Sequence, residues 1–209
     1  MKLLVFGANG GIGRQVVEQA LAAGYSVRAV VRNPASLTLE HENLQIVRGD
    51  ILDLSSITPY FVGVDAVISA IGANSLKPTT LYSAGMANII KGMKAGGVNR
   101  VTCISAAPLE VGKELPFFEK VLMRLVLRPL LRNPYADNRR MEDELEASQL
   151  DWTVIRAPRL TKGAHTGRYK IGLNKHLSAL GLSRADVADY ILKYLGDRAA
   201  YRARVELAY

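Results

Sequence analysis

Short apolar runs alternate along the chain with longer stretches in which apolar residues return every three or four positions. The runs are rich in Val and Ile and read as strands buried on both faces. The longer stretches read as helices with one apolar face. Strands are expected over residues 3–6, 26–31, 44–47, 64–70, 101–104 and 152–156. Helices are expected over 14–23, 79–95 and 135–148, with a short one near 54–61. Beyond residue 156 the pattern gives a short extra strand within 167–171 and a last strand over 204–208. Between them Ser183-Arg184-Ala185-Asp186 is a capping sequence that opens a helix to about residue 195.

The first strand runs straight into Gly7-Ala8-Asn9-Gly10-Gly11-Ile12-Gly13, and a helical pattern follows at Arg14. Strand, glycine turn and helix in that order begin a dinucleotide-binding unit. Gly7 takes the tight turn, Gly10 lets backbone approach a pyrophosphate, and Gly13 lets helix and strand pack closely. The helix then offers unpaired N–H groups and a positive dipole end to the phosphates. The spacing is G-x-x-G-x-x-G, and in this the loop resembles that of the extended and atypical short-chain dehydrogenase/reductases. Strand and helix alternate to residue 156 without a linker or an internal repeat. The expected fold is therefore α/β: a Rossmann-type doubly wound, mostly parallel sheet with helices on both faces. One domain is expected over residues 1–209, with a small C-terminal subregion on the substrate side.

The strand tips supply the next candidates, because ligands of such sheets lie at the carboxyl ends of the strands. Arg32 ends the second strand where an acid would take the ribose 2′-OH of NAD, so the 2′-phosphate of NADP (NADPH) is expected there. Arg14 is a second candidate for that phosphate. Asp50, after the third strand, is placed to accept from an adenine amino group; its other role would be capping the next helix, for which Asp53 is better placed. Small residues at Ile71-Gly72-Ala73 would let ribose and pyrophosphate lie against backbone. Ser105, at the tip of the fifth strand, would face the nicotinamide, either orienting its carboxamide or polarising a substrate carbonyl. The plainer reading of Ser105 is a turn serine.

Charge and composition narrow the partners. The net charge is +8, but the basic residues are spread out and no nucleic-acid-binding motif occurs, so the field is read as favouring anionic ligands. Cys103 is the one cysteine and sits in an apolar run, which excludes a disulfide framework and a Cys-based zinc site. His41, His165 and His176 lack ligand spacing, so no metal is expected. No stretch approaches the ~20 apolar residues of a membrane span, and the first apolar run is too short for a leader, so a soluble cytoplasmic protein is expected. Residues 116–132 are apolar with Lys120, Arg124, Arg128 and Arg132 at four-residue spacing, a basic stripe along a helix that Pro129 kinks or restarts. Its plain reading is a solvated edge on a helix covering the site; the other is a membrane-surface or partner-docking face.

Together the glycine loop, Val30-Val31-Arg32, Gly49-Asp50, Asp65-Ala66-Val67-Ile68, Lys77-Pro78-Thr79-Thr80, Ala87-Asn88-Ile89-Ile90, Met93-Lys94-Ala95-Gly96-Gly97-Val98, Ser105-Ala106, Thr166-Gly167-Arg168-Tyr169 and Ser183-Arg184-Ala185-Asp186 carry a family resemblance. The chain resembles the biliverdin-IXβ reductase/flavin reductase group of atypical short-chain dehydrogenase/reductases, related to NmrA-like proteins. The resemblance implies NADPH-dependent reduction of a planar redox acceptor: a flavin, quinone or tetrapyrrole. It implies Arg32 at the 2′-phosphate, Asp50 and Ile51 at the adenine, and Ala70, Ile71 and Gly72 along the ribose. Ser105, Ala106 and Pro158 would lie by the nicotinamide. The superfamily's Tyr-x-x-x-Lys is replaced by Tyr135-x-x-x-Arg139, so Ser105 and Tyr135 are the catalytic candidates. Asn138 and Arg159 stand where the group has substrate-side histidines, which argues against biliverdin itself and makes both substrate candidates. The missing lysine also suits a non-catalytic NADP-binding redox sensor of NmrA type. A sugar-nucleotide epimerase is a third reading. The expected partner is a small redox acceptor, not nucleic acid, and the expected state a monomer or weak homo-oligomer.

Overall fold

The structure is a computed structural model and describes residues 1–73, 76–106, 121, 125, 128–177 and 181–209. Its main sheet is built from β1 (Lys2–Phe6), β2 (Ser26–Val31), β3 (Leu44–Arg48), β4 (Ala66–Ser69), β5 (Arg100–Ala106), β6 (Asp151–Ala157), β8 (Lys170–Leu173) and β10 (Ala203–Ala208). The spatial order is β3-β2-β1-β4-β5-β6-β10-β8. Neighbours pair in parallel throughout, except that β8 runs antiparallel to β10 at the edge. The expected doubly wound, mostly parallel Rossmann-type sheet is the observed fold. From β1 the chain winds outward to β3, then returns to add β4 on the other side. That reversal opens a crevice at the carboxyl ends of β1 and β4.

Alternation along each strand sorts the core into two layers. Leu3 and Val5 of β1 face α1 (Gly11–Ala22) and α5 (Arg184–Lys193), with Val16, Val187 and Ile191. Leu4 and Phe6 face α2 (Leu54–Ile57) and α3 (Leu81–Gly96), where Phe61, Ile89 and Met93 are buried. On this second face α4 (Arg128–Ala147) packs against α3 and supplies Met141 and Leu145 to the core beside Trp152. A separate short parallel pair, β7 (Leu160–Thr161) with β9 (Leu182–Ser183), was not predicted; two-residue strands carry no period to read.

Local signals held. Asp53 caps α2 by accepting from the Ser55 N–H at 3.0 Å, and Ser183 caps α5 by accepting from the Asp186 N–H at 3.0 Å. Two expectations need revision. The helix expected from residue 135 is described from Arg128, as a 20-residue helix with Pro134 inside it. Pro129 falls in its first turn, where a missing N–H costs nothing. Ser105 lies inside β5, paired in register with Arg156 of β6, so it is a strand residue and not a turn serine. Of the basic stripe, Lys120 and Arg124 fall outside the described residues, while Arg132 is exposed on α4. Among the described residues no helix is long and apolar enough to cross a membrane, and no His/Cys/Asp/Glu cluster could hold a metal.

Candidate functional site

The glycine loop bridges β1 and α1, and its shape follows from atoms that leave no room for side chains. Gly7 has φ +75°, and a Cβ there would sit 2.5 Å from the Ala70 carbonyl oxygen. A Cβ on Gly13 would sit 2.1 Å from the Gly7 carbonyl oxygen, so helix and strand meet at the distance only glycine permits. The Gly10 N–H donates back to Gly7 C=O at 2.8 Å, closing the turn. No side chain caps α1, and its first turn holds no acid. The helix therefore presents open N–H groups and a positive end to the crevice.

Two cavities meet over this loop and share Gly10, Ala70, Ile71 and Gly72. The first, of about 400 Å³, extends over Gly7 and Asn9 toward Arg32, Asp50 and Ile51. Arg32 is exposed at the tip of β2, with no hydrogen-bond or ion-pair partner among the described residues. The turn carrying Asp50 is fixed from three sides. The Asp50 N–H donates to Ser56 Oγ at 2.9 Å, its carboxylate accepts the Leu52 N–H at 3.0 Å, and Asn88 Nδ2 on α3 donates to Ile51 C=O at 2.8 Å.

The second cavity, of about 390 Å³, holds Gly11, Ile12, Ser105, Ala106, Asn138 and Pro158, with Tyr82 and Arg184 on its wall. Arg184 comes from the C-terminal subregion, and its side chain lies across Gly11 where a Cβ would stand 2.5 Å away. A third cavity of about 630 Å³ lies around the same arginine and is lined by Arg14, Lys162 and His165. The loop forming it is held by Asp186, which is fully buried. Its carboxylate accepts from the N–H groups of Thr166 (2.7 Å) and Gly167 (2.8 Å) and from the hydroxyls of Thr166 (2.8 Å) and Tyr209 (2.7 Å).

The structure thus brings together most of the residues singled out in the sequence, and separates four. Ala8 is buried under the loop and Gly13 is a packing position. Tyr135 and the exposed Arg159 are not among the residues lining the three cavities. Burial raises the Tyr135 hydroxyl above the ordinary tyrosine range, which holds its proton on, and Arg139 is exposed. Glu142, which sequence reasoning missed, stands behind Ser105. This α4 carboxylate is buried and accepts from Ser105 Oγ at 2.8 Å, from Arg156 at 2.6 and 3.1 Å, and from Arg204 at 2.9 Å. Burial alone would raise its pKa, but the bonds from Arg156, Arg204 and Ser105 prevail and hold the carboxyl below the ordinary range. Asp137 was missed as well. It is buried and accepts from the Tyr82 N–H at 2.8 Å and the Ser83 hydroxyl at 2.5 Å, capping α3 from a different helix. No local spacing signals Ser105 as a partner of Glu142 or the α3 start as that of Asp137, because these lie 37 and about 55 positions away.

A switch-point crevice over a glycine loop, with an uncapped helix start and a free arginine at a strand tip, defines a dinucleotide-binding α/β protein. The chain belongs to the NAD(P)H-binding family, whose model matches residues 7–198. Among curated relatives, photosystem II assembly factor Ycf39 of Trieres chinensis is 32% identical over 123 residues, 57% of this chain and 39% of that protein. The chain thus spans well under half the length of that relative. The uncharacterized protein YwnB of Bacillus subtilis is 27% identical over 207 residues, 94% of this chain and 92% of that one. Two solved structures share the fold. ChuY, an anaerobillin reductase from Escherichia coli O157:H7, superimposes with TM-score 0.76 at 24% identity, covering 100% of this chain and 97% of ChuY. A wide-type short-chain dehydrogenase/reductase from Veillonella parvula, in complex with NADP, gives TM-score 0.79 at 17% identity, covering 100% and 94%.

Proposed function

We propose that this chain is an NADPH-dependent reductase that delivers hydride to a planar redox acceptor, a flavin, quinone or tetrapyrrole, within the biliverdin-IXβ/flavin reductase-like group. The observation that carries the reading is the pair of joined cavities, with Arg32 at one end and Ser105 and Pro158 at the other. That span suits an adenine end under a 2′-phosphate, a diphosphate over Gly10 and Gly11, and a nicotinamide beside β5. The NADP complex of the Veillonella relative and the reductase activity named for ChuY support it.

When bound, the nicotinamide supplies the hydride. The protein's own part is orientation and exclusion of water. Asp50 and Ile51 border the adenine end; Ala70, Ile71 and Gly72 present backbone along the ribose. Ala106 and Pro158 line the second cavity, where the nicotinamide ring would lie. A flavin or quinone takes its proton from solvent, so the protonated, half-buried Tyr135 is not needed as an acid.

Affinity and turnover test this together. NADPH should bind roughly ten-fold or more tightly than NADH by calorimetry, the gap closing in Arg32→Ala, since a charge-assisted contact at an exposed tip is worth about 1.5 kcal/mol. NADPH oxidation should depend on added FMN, FAD or quinone. Equal affinity for the two nucleotides removes the NADPH assignment. Tight binding with no turnover on any acceptor removes the reductase assignment in favour of a redox sensor.

A further inference from the structure

Ser105 and Asn138 share the wall of the second cavity, and what each can offer a ligand is decided by the residue behind it. Behind Ser105 is Glu142. Every group on that carboxylate is a donor: two guanidinium N–H groups of Arg156, one of Arg204, and the Ser105 hydroxyl. A guanidinium has no lone pair to offer, and an ionised carboxylate has no proton. The one hydroxyl proton of Ser105 is therefore committed to Glu142. Toward the cavity its oxygen has only lone pairs.

Asn138 lies one turn before Glu142 on α4. Its amide nitrogen donates to the Pro134 carbonyl at 2.9 Å. A carbonyl only accepts, so the side chain is fixed with Nδ2 toward Pro134 and Oδ1 away from it. Asn138 is 5% exposed, and its Oδ1 is buried with no hydrogen-bond partner among the described residues. Orphaned buried acceptors are uncommon in folded proteins and call for a missing donor. Asn138 Oδ1 has no exposed surface, so the acceptor this wall offers a ligand is Ser105 Oγ.

We propose that Ser105 Oγ is the acceptor of a subsite for a primary amide –NH₂, the carboxamide amino group of the nicotinamide, and that Glu142 is the positioning residue that makes Ser105 an acceptor. This rests on the nucleotide reading above and decides between the two roles a hydroxyl at this strand tip could take. Ser105 holds the cofactor's amino group and does not polarise a substrate carbonyl. A substrate C=O brought to this wall would set oxygen lone pairs against oxygen lone pairs.

The test compares NADP⁺ with its 3-acetylpyridine analogue, in which a methyl replaces the amide –NH₂ and the carbonyl remains. Dissociation constants are measured by calorimetry. The wild-type protein should bind the analogue up to about ten-fold more weakly, the worth of one hydrogen bond. Ser105→Ala should weaken NADP⁺ and leave the analogue nearly unchanged, narrowing the gap. Glu142→Gln should also narrow it, although Glu142 touches no ligand, because a serine freed from the carboxylate can turn its proton into the cavity. A merely structural Glu142 would instead weaken both nucleotides by one common factor, overturning its positioning role. Equal wild-type affinity for NADP⁺ and the analogue, both tight, overturns the subsite and leaves the nucleotide reading intact. Failure to bind either one removes the nucleotide reading itself. The wild-type comparison does not depend on any variant folding.

Discussion

Asp186 offers the sharpest test of how the C-terminal subregion is attached. Its carboxylate takes four hydrogen bonds, two from backbone N–H groups in the 166–167 turn and two from hydroxyls, with no exposed surface. In Asp186→Asn the amide oxygen can keep the two backbone donors, and the hydroxyls of Thr166 and Tyr209 can rotate to accept from the new NH₂. What is lost is the charge. Bonds to an ionised group are worth about 1.5–3 kcal/mol and neutral ones about 1, so four weakened bonds amount to roughly 2–3 kcal/mol. The ionisation gives an independent figure. Burial alone would raise this pKa, but the Tyr209, Gly167 and Thr166 bonds bring it from 3.8 to about 2. A fall of that size corresponds to about 2.5 kcal/mol favouring the ionised folded form. At roughly 2–4 °C per kcal/mol for a chain of this length, Asp186→Asn should lower Tm by about 5–10 °C at pH 7. The pKa is lowered on folding, so this contribution is complete above about pH 4 and is lost as pH falls through about 2. Differential scanning calorimetry of both proteins from pH 7 to pH 2.5 should show the gap closing in that window. A gap under about 2 °C at pH 7, or one that persists undiminished at the acid end, refutes the reasoning.

Gly13→Ala puts a methyl group 2.1 Å from the Gly7 carbonyl oxygen, a backbone atom that cannot swing aside, and should cost about 3 kcal/mol in urea unfolding together with most nucleotide affinity. Gly196→Ala, where nothing lies within 4 Å, is the control and should stay within about 0.5 kcal/mol. Asp137→Ala strips the α3 start of its borrowed cap and strands a half-buried hydroxyl and N–H, so a loss of about 1–2 kcal/mol is expected; under 0.5 kcal/mol would show that solvent replaces the carboxylate.

What could be read from the sequence was what acts over a few residues. Gly7 and Gly13 mark a turn and a packing contact within one strand–helix unit. Arg32 follows its strand directly, and Asp53 and Ser183 cap the helices they precede. The helix expected from residue 135 begins earlier and carries Pro134 inside it, although proline penalises a helix interior. Tertiary packing on α3 and the sheet overrides that penalty. Glu142 in sequence is one acid among Glu142, Asp143, Glu144 and Glu146 on a polar helix. Only the sheet shows that this one turns inward. Ser105 and Arg156 are register partners on adjacent strands, and Arg204 reaches the same carboxylate from β10.

The two ends of the crevice therefore recognise ligands by different means, and this has a consequence for specificity. The nucleotide end is mostly backbone and glycine, so its chemistry is written into a contiguous motif. The other end depends on side chains whose donor or acceptor character comes from partners across the sheet. With Ser105 committed to Glu142 and the Asn138 amide nitrogen turned to Pro134, the side-chain donors remaining on that wall are Tyr82 and Arg184. The Tyr82 hydroxyl accepts the Ala73 N–H at 2.8 Å, which leaves its own proton for another acceptor. Arg184 has no hydrogen-bond or ion-pair partner among the described residues. A carbonyl or anionic oxygen entering the second cavity finds its side-chain donors in Tyr82 and Arg184. Changing Tyr82 or Arg184 should then alter affinity for the acceptor while leaving the preference for NADPH over NADH, proposed above to be set at Arg32, as it was.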